Sequence, residues 1–262
     1  MGCGTSCASE THAKGILGET YLPEAVLVTD RAGTFRPALT YIAPTMEPRA
    51  AERDYVEELL RHHGSIALFR APDDGRLVGL TALDVYPTTF EGRKVAVIFT
   101  SHVMLDEAFR GHNLLQRLGW RTFLATRKRF PFLPIYWFFD SFGYKSYLLL
   151  PRNFRDFWPR RDRTVPPWEQ GLMNQLAVQM YRDAWQPERG IVRHSGHKRL
   201  RPEAAPLQEE FAADPDLAFY VRANPGHAEG DMLVCLCPLT LVNLATLGLR
   251  ARARARRKVA RS

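Results

Sequence analysis

Apolar and polar positions follow two periods along the chain, and each period predicts one kind of element. Runs rich in apolar and β-branched residues predict strands at residues 25–28, 65–70, 76–85, 94–105 and 135–139. Apolar positions three and four residues apart predict helices at residues 52–63, 112–128, 141–150 and 168–185. Residues 1–22 follow neither period, and we expect them to be flexible.

Turn-forming residues between apolar runs predict two β-hairpins. A Pro-Asp-Asp-Gly turn at 72–75 separates the strands at 65–70 and 76–85, which favours their pairing. An Asn-Pro-Gly sequence and a later Gly-Asp pair separate two further apolar runs, at 217–223 and 232–236. These runs predict a second hairpin near the end of the chain.

Composition and charge are those of a globular protein with a basic tail. Hydrophobic residues make up 45% of the 262 residues and charged residues 24%. The formal net charge is +8, but residues 250–262 carry seven positive charges and no acidic residue, which leaves +1 for the rest. A nearly neutral body disfavours a specific nucleic-acid-binding surface.

The segment before the basic tail is uncharged from residue 233 to residue 249. Pro238 divides it, which predicts a core strand before the proline and an apolar helix after it. The run is shorter than the ~20 residues that a membrane-spanning helix needs. Two alternatives remain open: the helix and tail lie on an anionic membrane surface, or the helix packs on the domain and the tail is solvated.

The N-terminus and the cysteines indicate the cellular compartment of the protein. We expect no signal peptide, because residues 1–22 lack a charged segment followed by an apolar one. Gly2 and Cys3 fit an N-myristoylation and palmitoylation pattern, and the alternative is an unmodified N-terminus. Cys235 and Cys237 lie in an apolar run and predict buried, reduced thiols. We therefore expect a cytoplasmic protein, with peripheral membrane attachment as the open alternative.

The most informative stretch is HVMLDEAFRGHNLLQRL, residues 102–118. It predicts a strand, a loop and a helix start, and the unpaired N–H groups of a helix start suit an anionic pyrophosphate. Glycine at position 111 permits a sharp turn and a close approach to a ligand.

This stretch resembles the pyrophosphate-binding segment of the GNAT superfamily of N-acyltransferases. Arg110 and Gly111 match the family's Arg-Gly pair, whereas Asn113 and Leu115 stand where the family prefers small residues. The resemblance implies acetyl-CoA or a longer acyl-CoA as the donor substrate, and no metal. The residues it implies for donor binding are Leu105, Arg110, Gly111, His112, Asn113 and Leu115.

A second match follows the aromatic strand at 135–139. The sequence DSFGYKSY, residues 140–147, resembles the family helix whose tyrosine protonates the leaving thiolate of CoA. The resemblance implies Tyr147 as the general acid, with Tyr144 in reserve, and the alternative is that both are core aromatic residues. His102, on the strand before the loop, is the candidate base for the amine proton, and the alternatives are a structural histidine or an ordered water as base.

Together these matches imply a GNAT-like α/β (α+β) fold, a mixed β-sheet flanked by helices. They imply an acyltransferase domain at residues 23–238, with a helical insertion at 156–215, followed by the apolar helix and basic tail at 239–262. The implied activity transfers an acyl group from acyl-CoA, or from an acyl carrier protein, to an amine of an unidentified acceptor. The alternative is a non-catalytic protein that binds an acyl ligand or a membrane through the same scaffold.

Overall fold

A computed structural model describes residues 24–28, 65–71, 74–75, 77–109, 114–193 and 213–259. The strands are β1 (Glu24–Val28), β2 (Ser65–Arg70), β3 (Leu77–Phe90), β4 (Arg93–Leu105), β5 (Ile135–Ser141), β6 (Trp185–Gln186), β7 (Ile191–Val192) and β8 (Met232–Pro238). The helices are α1 (Leu114–Arg129), α2 (Tyr144–Tyr147), α3 (Leu149–Asn153), α4 (Pro167–Tyr181), α5 (Pro215–Ala223) and α6 (Leu241–Val259). The predicted flexible segment 1–22 and the predicted helix 52–63 lie outside the described residues.

Hydrogen bonds connect the described strands in the order β1-β2-β3-β4-β5-β8-β7-β6. Helices accompany this sheet, which confirms the predicted α/β class. The chain divides into two compact units, residues 1–84 with 100–125 and residues 85–99 with 126–262.

In the first unit, β2 is the central strand of an antiparallel arrangement. It pairs with β1 on one side and with β3 on the other, where Leu68 lies opposite Leu80. The pairing with β3 confirms the first predicted hairpin. Four consecutive residues of β2, positions 66–69, are buried, because the apolar run Ile-Ala-Leu-Phe has no polar face to turn toward solvent.

The second unit has a core on each face of its strands. β8 pairs antiparallel with β5, and positions 232–237 are all buried. On one face, Val234 and Leu236 pack with Leu172 and Leu176 of α4. On the other face, the cluster contains the two thiols, Cys235 and Cys237, and residues of α2, α3 and α5. The unit is therefore a sheet between two helical layers, and both cysteines are free and buried as predicted.

The prediction of a second hairpin is wrong, because residues 217–223 belong to helix α5. Asp214 caps this helix by accepting hydrogen bonds from the backbone N–H groups of Asp216 and Leu217, and Pro215 occupies its first turn. β8 pairs instead with β5 and with the two-residue strand β7. Residues 217–236 thus supply one strand rather than two.

The predicted helix at 141–150 is also revised. The chain forms two short helices that meet at Leu148, and the second continues through Pro151 to Asn153. Pro151 is tolerated because it lies in the first turn of α3, where its missing N–H has no helical partner to lose. The helix predicted at 168–185 ends at Tyr181, and Trp185 begins β6.

Helix α6 follows Pro238 as predicted and packs on the second unit. Asn243 is fully buried, and its side chain bonds the backbone of Arg155, Asp156 and Pro238. Arg250 donates to the carbonyl of Pro151 at 2.6 Å. Within the described ranges, none of the helices combines the length and apolar character needed to cross a membrane.

Candidate functional site

In the first unit, the end of β4 leads into the loop predicted to bind the donor. The backbone N–H of Asp106 donates to the carbonyl of Val78 on β3 at 2.8 Å, which fixes the chain where β4 ends. The Asp106 carboxylate then accepts from the N–H of Ala108 at 3.1 Å, and a 3-10 turn covers Glu107–Phe109. The next four residues, Arg110, Gly111, His112 and Asn113, lie outside the described residues, so their predicted roles stay predictions.

A glycine on β3 permits close contact with the end of β4. A Cβ atom at Gly79 would lie 2.8 Å from both the Leu105 Cδ1 atom and the Met104 carbonyl oxygen. Because one of these neighbours is backbone, any larger residue at position 79 would displace the strand that leads into the loop.

Two of the predicted donor residues, Leu105 and Leu115, pack against one apolar cluster. Both are partly buried, together with Phe109, against a core formed by Ala67, Phe69, Ala71, Val78, Leu114 and Leu118. Leu115 therefore turns at least partly toward this core. The first turn of α1 contains no acidic residue, so no side chain there opposes an anion.

His102, the predicted base, interrupts the regular backbone of β4. Its φ angle is +54°, a left-handed conformation that is rare for residues other than glycine. Its Nδ1 atom lies 2.6 Å from the hydroxyl oxygen of the buried Ser101, whose carbonyl accepts a hydrogen bond from Thr81. A non-glycine residue with a left-handed backbone conformation is often found at a functional site, where the conformation orients its side chain.

In the second unit, Tyr144 and Tyr147 begin and end the short helix α2. Ser146 anchors the helix start by donating to the carbonyl of Gly143 at 2.6 Å and by contacting the Ser141 hydroxyl at 2.8 Å. Tyr144 is half-buried, and the Lys145 ammonium lies 5.7 Å from the centre of its ring.

Tyr147, by contrast, is fully buried. Its hydroxyl donates to the carbonyl of Pro159 at 3.3 Å, and its ring packs beside those of Phe219 and Tyr220. Burial raises the pKa of Tyr147 far above that of a free tyrosine, so its hydroxyl stays protonated. The structure thus gives the two tyrosines different surroundings, and their catalytic roles stay predictions.

Two residues that sequence reasoning did not single out form a polar pair in the second unit. The hydroxyl of Tyr181, at the end of α4, donates to the Asp140 Oδ2 atom at 2.9 Å. The signal available in the sequence was one acidic residue within the aromatic strand IYWFFDS. No group of three or more His, Cys, Asp or Glu side chains suited to a metal occurs among the described residues.

The chain matches no family model and no curated protein. It is similar to several solved structures. One is a GNAT family N-acetyltransferase from Escherichia coli in complex with CoA, with 14% identity, a TM-score of 0.36, and coverage of 55% of this chain and 79% of that chain. Another is an acetyltransferase from Trypanosoma brucei, with 21% identity, a TM-score of 0.36, and coverage of 55% and 100%.

A third is a ribosomal-protein-alanine N-acetyltransferase from Brucella melitensis, with 16% identity, a TM-score of 0.39, and coverage of 55% and 99%. Likeness at this level carries no argument about activity or substrate. What the chain does has to be inferred from its own residues.

Proposed function

We propose that this protein is an acyltransferase that moves an acyl group from acyl-CoA to an amine. The observation that carries the proposal is the order of β4, the turn at Glu107–Phe109 and α1 along the chain. A strand with a left-handed residue at His102 leads into a tight turn and then into a 16-residue helix without acidic residues at its start. Such a unit offers backbone N–H groups and a positive helix end to a pyrophosphate.

The donor is acetyl-CoA or a longer acyl-CoA, bound along the segment from Leu105 to Leu115. Leu105 and Leu115, at the two ends of this segment, are partly buried against the same apolar cluster. The Arg-Gly pair at positions 110–111, which carries the family resemblance, would add a positive charge and a flexible turn. We extend the proposal to an acyl carrier protein, whose acyl thioester would bind at the same loop as an alternative to acyl-CoA.

The transfer requires one proton to leave the amine and one to reach the thiolate. The neutral amine nitrogen attacks the thioester carbonyl, the carbon–sulfur bond breaks, and the thiolate takes a proton from a general acid. We assign the role of general acid to Tyr144 in preference to Tyr147, because the Tyr147 hydroxyl is buried and donates to the Pro159 carbonyl. His102 is the candidate base, as predicted.

The burial of Tyr147 favours a second candidate function, a non-catalytic protein that binds an acyl ligand. If the tyrosine that carries the resemblance is purely a core residue, the scaffold would lack its expected acid. Replacement of both Tyr144 and Tyr147 by phenylalanine distinguishes the two functions, because an enzyme would lose its turnover, whereas a binding protein would show no turnover before or after the change.

We also propose that the protein is cytoplasmic and attaches peripherally to an anionic membrane. The outer side of α6 supports attachment, because Leu241 and Leu249 are 85% and 66% exposed and Arg252 and Arg256 follow on the same helix. Sedimentation with vesicles of phosphatidylserine and phosphatidylcholine, compared with vesicles of phosphatidylcholine alone, tests it.

Calorimetric titration with acyl-CoA esters from acetyl to palmitoyl tests the donor assignment. We expect saturable binding, and at least tenfold weaker binding by Leu115→Glu, whose carboxylate would oppose the pyrophosphate. Leu124→Glu is the matched control, since Leu124 is 50% exposed on the same helix, and it should bind normally. A folded wild-type protein that binds none of these esters would overturn the proposal.

A further inference from the structure

The two most exposed large hydrophobic side chains among the described residues both belong to the second unit. Phe132 is 93% exposed and Leu241 is 85% exposed. Phe132 lies in the loop Phe-Pro-Phe-Leu-Pro, residues 130–134, which connects α1 to β5, and Leu241 begins α6. Single exposed apolar residues are common on proteins, whereas several at one place indicate a surface that binds a partner.

The fold brings these two segments together where β5 starts and β8 ends. The two strands pair antiparallel, and just beyond them the backbone N–H of Leu239 donates to the carbonyl of Ile135 at 2.8 Å. Phe132 precedes this hydrogen bond by three residues, and Leu241 follows it by two. The exposed apolar residues of the two segments, which we call the apolar edge, are Pro131, Phe132, Pro134, Leu241 and Val242.

Hydrogen bonds hold the loop between α1 and β5 in a fixed shape. The Arg127 guanidinium donates to the carbonyl of Pro131 at 2.9 Å and to that of Leu133 at 3.0 Å. The Pro134 carbonyl accepts from the N–H of Ala96 on β4 at 2.9 Å, and the two prolines restrict the backbone further. Because the loop is already ordered, its exposed ring loses little conformational entropy when a partner buries it.

The other segment of the apolar edge, the start of α6, is also fixed. Asn243 binds it to the second unit through four hydrogen bonds. Further along the helix, Arg250 and Arg254 donate to backbone carbonyls of α3. Arg252 and Arg256 alternate with these two arginines and are exposed, so they lie on the side of the helix that faces solvent.

The segments that form the apolar edge carry only positive charge. Residues 126–134 and 239–259 together contain nine Lys and Arg residues and no Asp or Glu. Lys128 and Arg129, at the end of α1, are exposed. A twofold dimer through this edge would bring the positive charges of both copies together, whereas an anionic surface would neutralise them.

We propose that the apolar edge inserts into an anionic lipid bilayer, with Phe132 and Leu241 among the acyl chains and Lys128 and Arg129 at the headgroups. This inference rests on the proposed peripheral attachment, for which it names the inserted residues and adds a loop outside α6. Exposed apolar side chains beside basic residues are the composition of segments that lie at a membrane interface. A protruding loop needs a matching cleft on a protein partner, but it needs none in a bilayer.

Insertion gives the attachment a part that salt does not remove. The attraction between basic residues and anionic headgroups is screened by salt, because the Debye length falls from about 10 Å at 0.1 M to about 3 Å at 1 M ionic strength. Burial of Phe132 and Leu241 among acyl chains is not screened in this way. The protein should therefore keep measurable vesicle binding at about 1 M NaCl, and this remaining binding should depend on the two side chains.

Sedimentation with vesicles of three parts phosphatidylcholine to one part phosphatidylserine, at low and high salt, tests the inference. Phe132→Ser and Leu241→Ser should each lower the vesicle partition coefficient at least fivefold, and the double variant should lose the salt-resistant binding. Val178→Ser is the matched control and should bind like the wild type. Val178 is 53% exposed on α4, which packs on the face of the sheet opposite to α6. Thermal melts verify that each variant is folded.

Fluorescence quenching by brominated phosphatidylcholine reports insertion at a single position. The wild type has five tryptophans, which set the background signal. Phe132→Trp should be quenched more strongly than this background on the vesicles, because the added ring would lie among the brominated chains. Val178→Trp should add no quenching, since its ring would stay in water.

The outcomes separate this inference from the other proposals. Salt-resistant vesicle binding that survives the double substitution, or equal quenching of Phe132→Trp and Val178→Trp, would overturn insertion and leave attachment through α6 standing. A dimer that forms in sedimentation velocity and is abolished by Phe132→Ser would also overturn it, because a second copy would then cover the apolar edge. Calorimetry with acyl-CoA in the absence of vesicles decides the donor separately, so a protein that inserts but binds no acyl-CoA would support insertion and refute the donor.

Discussion

At the scale of single residues, the backbone of His102 is the clearest departure from regular structure. Asparagine enters the left-handed region more readily than other non-glycine residues, whereas a β-branched residue is strongly disfavoured there. Because the φ angle at position 102 is +54°, the identity of this residue should affect the free energy of unfolding through the backbone alone.

We expect His102→Val to lower the free energy of unfolding by about 1–2 kcal/mol and His102→Asn to change it by less than about 0.5 kcal/mol. Urea denaturation of the two variants measures the difference. Both should lose turnover if His102 is the base, since neither side chain accepts a proton near neutral pH. Equal stabilities of the two variants would show that position 102 does not hold a left-handed backbone.

The two tyrosines of α2 should respond differently to the loss of their hydroxyl groups. Tyr147→Phe removes a buried hydrogen bond to Pro159 and should lower the free energy of unfolding by about 1 kcal/mol. Tyr144→Phe should leave stability nearly unchanged and lower kcat at least tenfold without weakening acyl-CoA binding. Thermal melts and single-turnover rates measure these effects, and lost turnover in a stable Tyr147→Phe variant would instead make Tyr147 the acid.

The sequence indicated several of the candidate site residues, but not the groups that contact them in the folded protein. The resemblance implies Leu105 and Leu115 as donor-binding residues, and in the structure both pack against one apolar cluster. The Tyr147 hydroxyl bonds a carbonyl twelve residues away, and one partner of Asp140 is a hydroxyl 41 residues away. Contacts of this kind depend on how the elements pack, which local patterns do not record.

At the scale of elements, one buried asparagine contributes most of the short hydrogen bonds between the start of helix α6 and the rest of the second unit. The Asn243 carbonyl oxygen accepts from the N–H groups of Arg155 and Asp156, both at 2.9 Å. Its amide nitrogen donates to the carbonyls of Asp156 and Pro238, both at 2.7 Å. These four hydrogen bonds bind the helix to the chain around residues 155, 156 and 238.

Replacing Asn243 by alanine should lower the free energy of unfolding by about 2–4 kcal/mol, because several backbone groups would lose their partners. Leu249→Ala is the control on the same helix, since Leu249 is 66% exposed, and its effect should stay below about 0.5 kcal/mol. Urea denaturation measures both. Similar small effects for the two variants would mean that α6 is not held through Asn243.

Helix α5 shows why element type was harder to predict than element position. The run Leu-Ala-Phe-Tyr-Val at 217–221 fits a strand, and the turn after it fits a hairpin. The start signals at Asp214 and Pro215 favour a helix, and burial of Leu217 and Tyr220 on one helical face agrees with them. The strands at 65–70 and 94–105 carried no such competing signal, and their predictions are confirmed.

At the scale of the whole molecule, the core of the second unit contains several weakly acidic side chains that are buried from solvent. Burial raises the pKa of both thiols and of four tyrosine hydroxyls, and these groups are Cys235, Cys237, Tyr136, Tyr147, Tyr181 and Tyr220. In the unfolded chain the same groups have ordinary pKa values, about 8.5 for cysteine and about 10 for tyrosine. The two states therefore bind equal numbers of protons at these groups below pH ~8 and different numbers above it.

The free energy of unfolding should consequently fall as the pH rises above about 8.5. There the unfolded chain releases protons that the native protein retains, and each such group lowers the free energy of unfolding by up to about 1.4 kcal/mol per pH unit. Urea denaturation between pH 7.5 and 10.5 should show a decline that begins with the thiols and steepens near pH 10 with the tyrosines. Cys235→Ala removes one of the two thiols and should flatten the first part of the decline, whereas a stability that stays constant up to pH 10.5 would contradict burial of these groups.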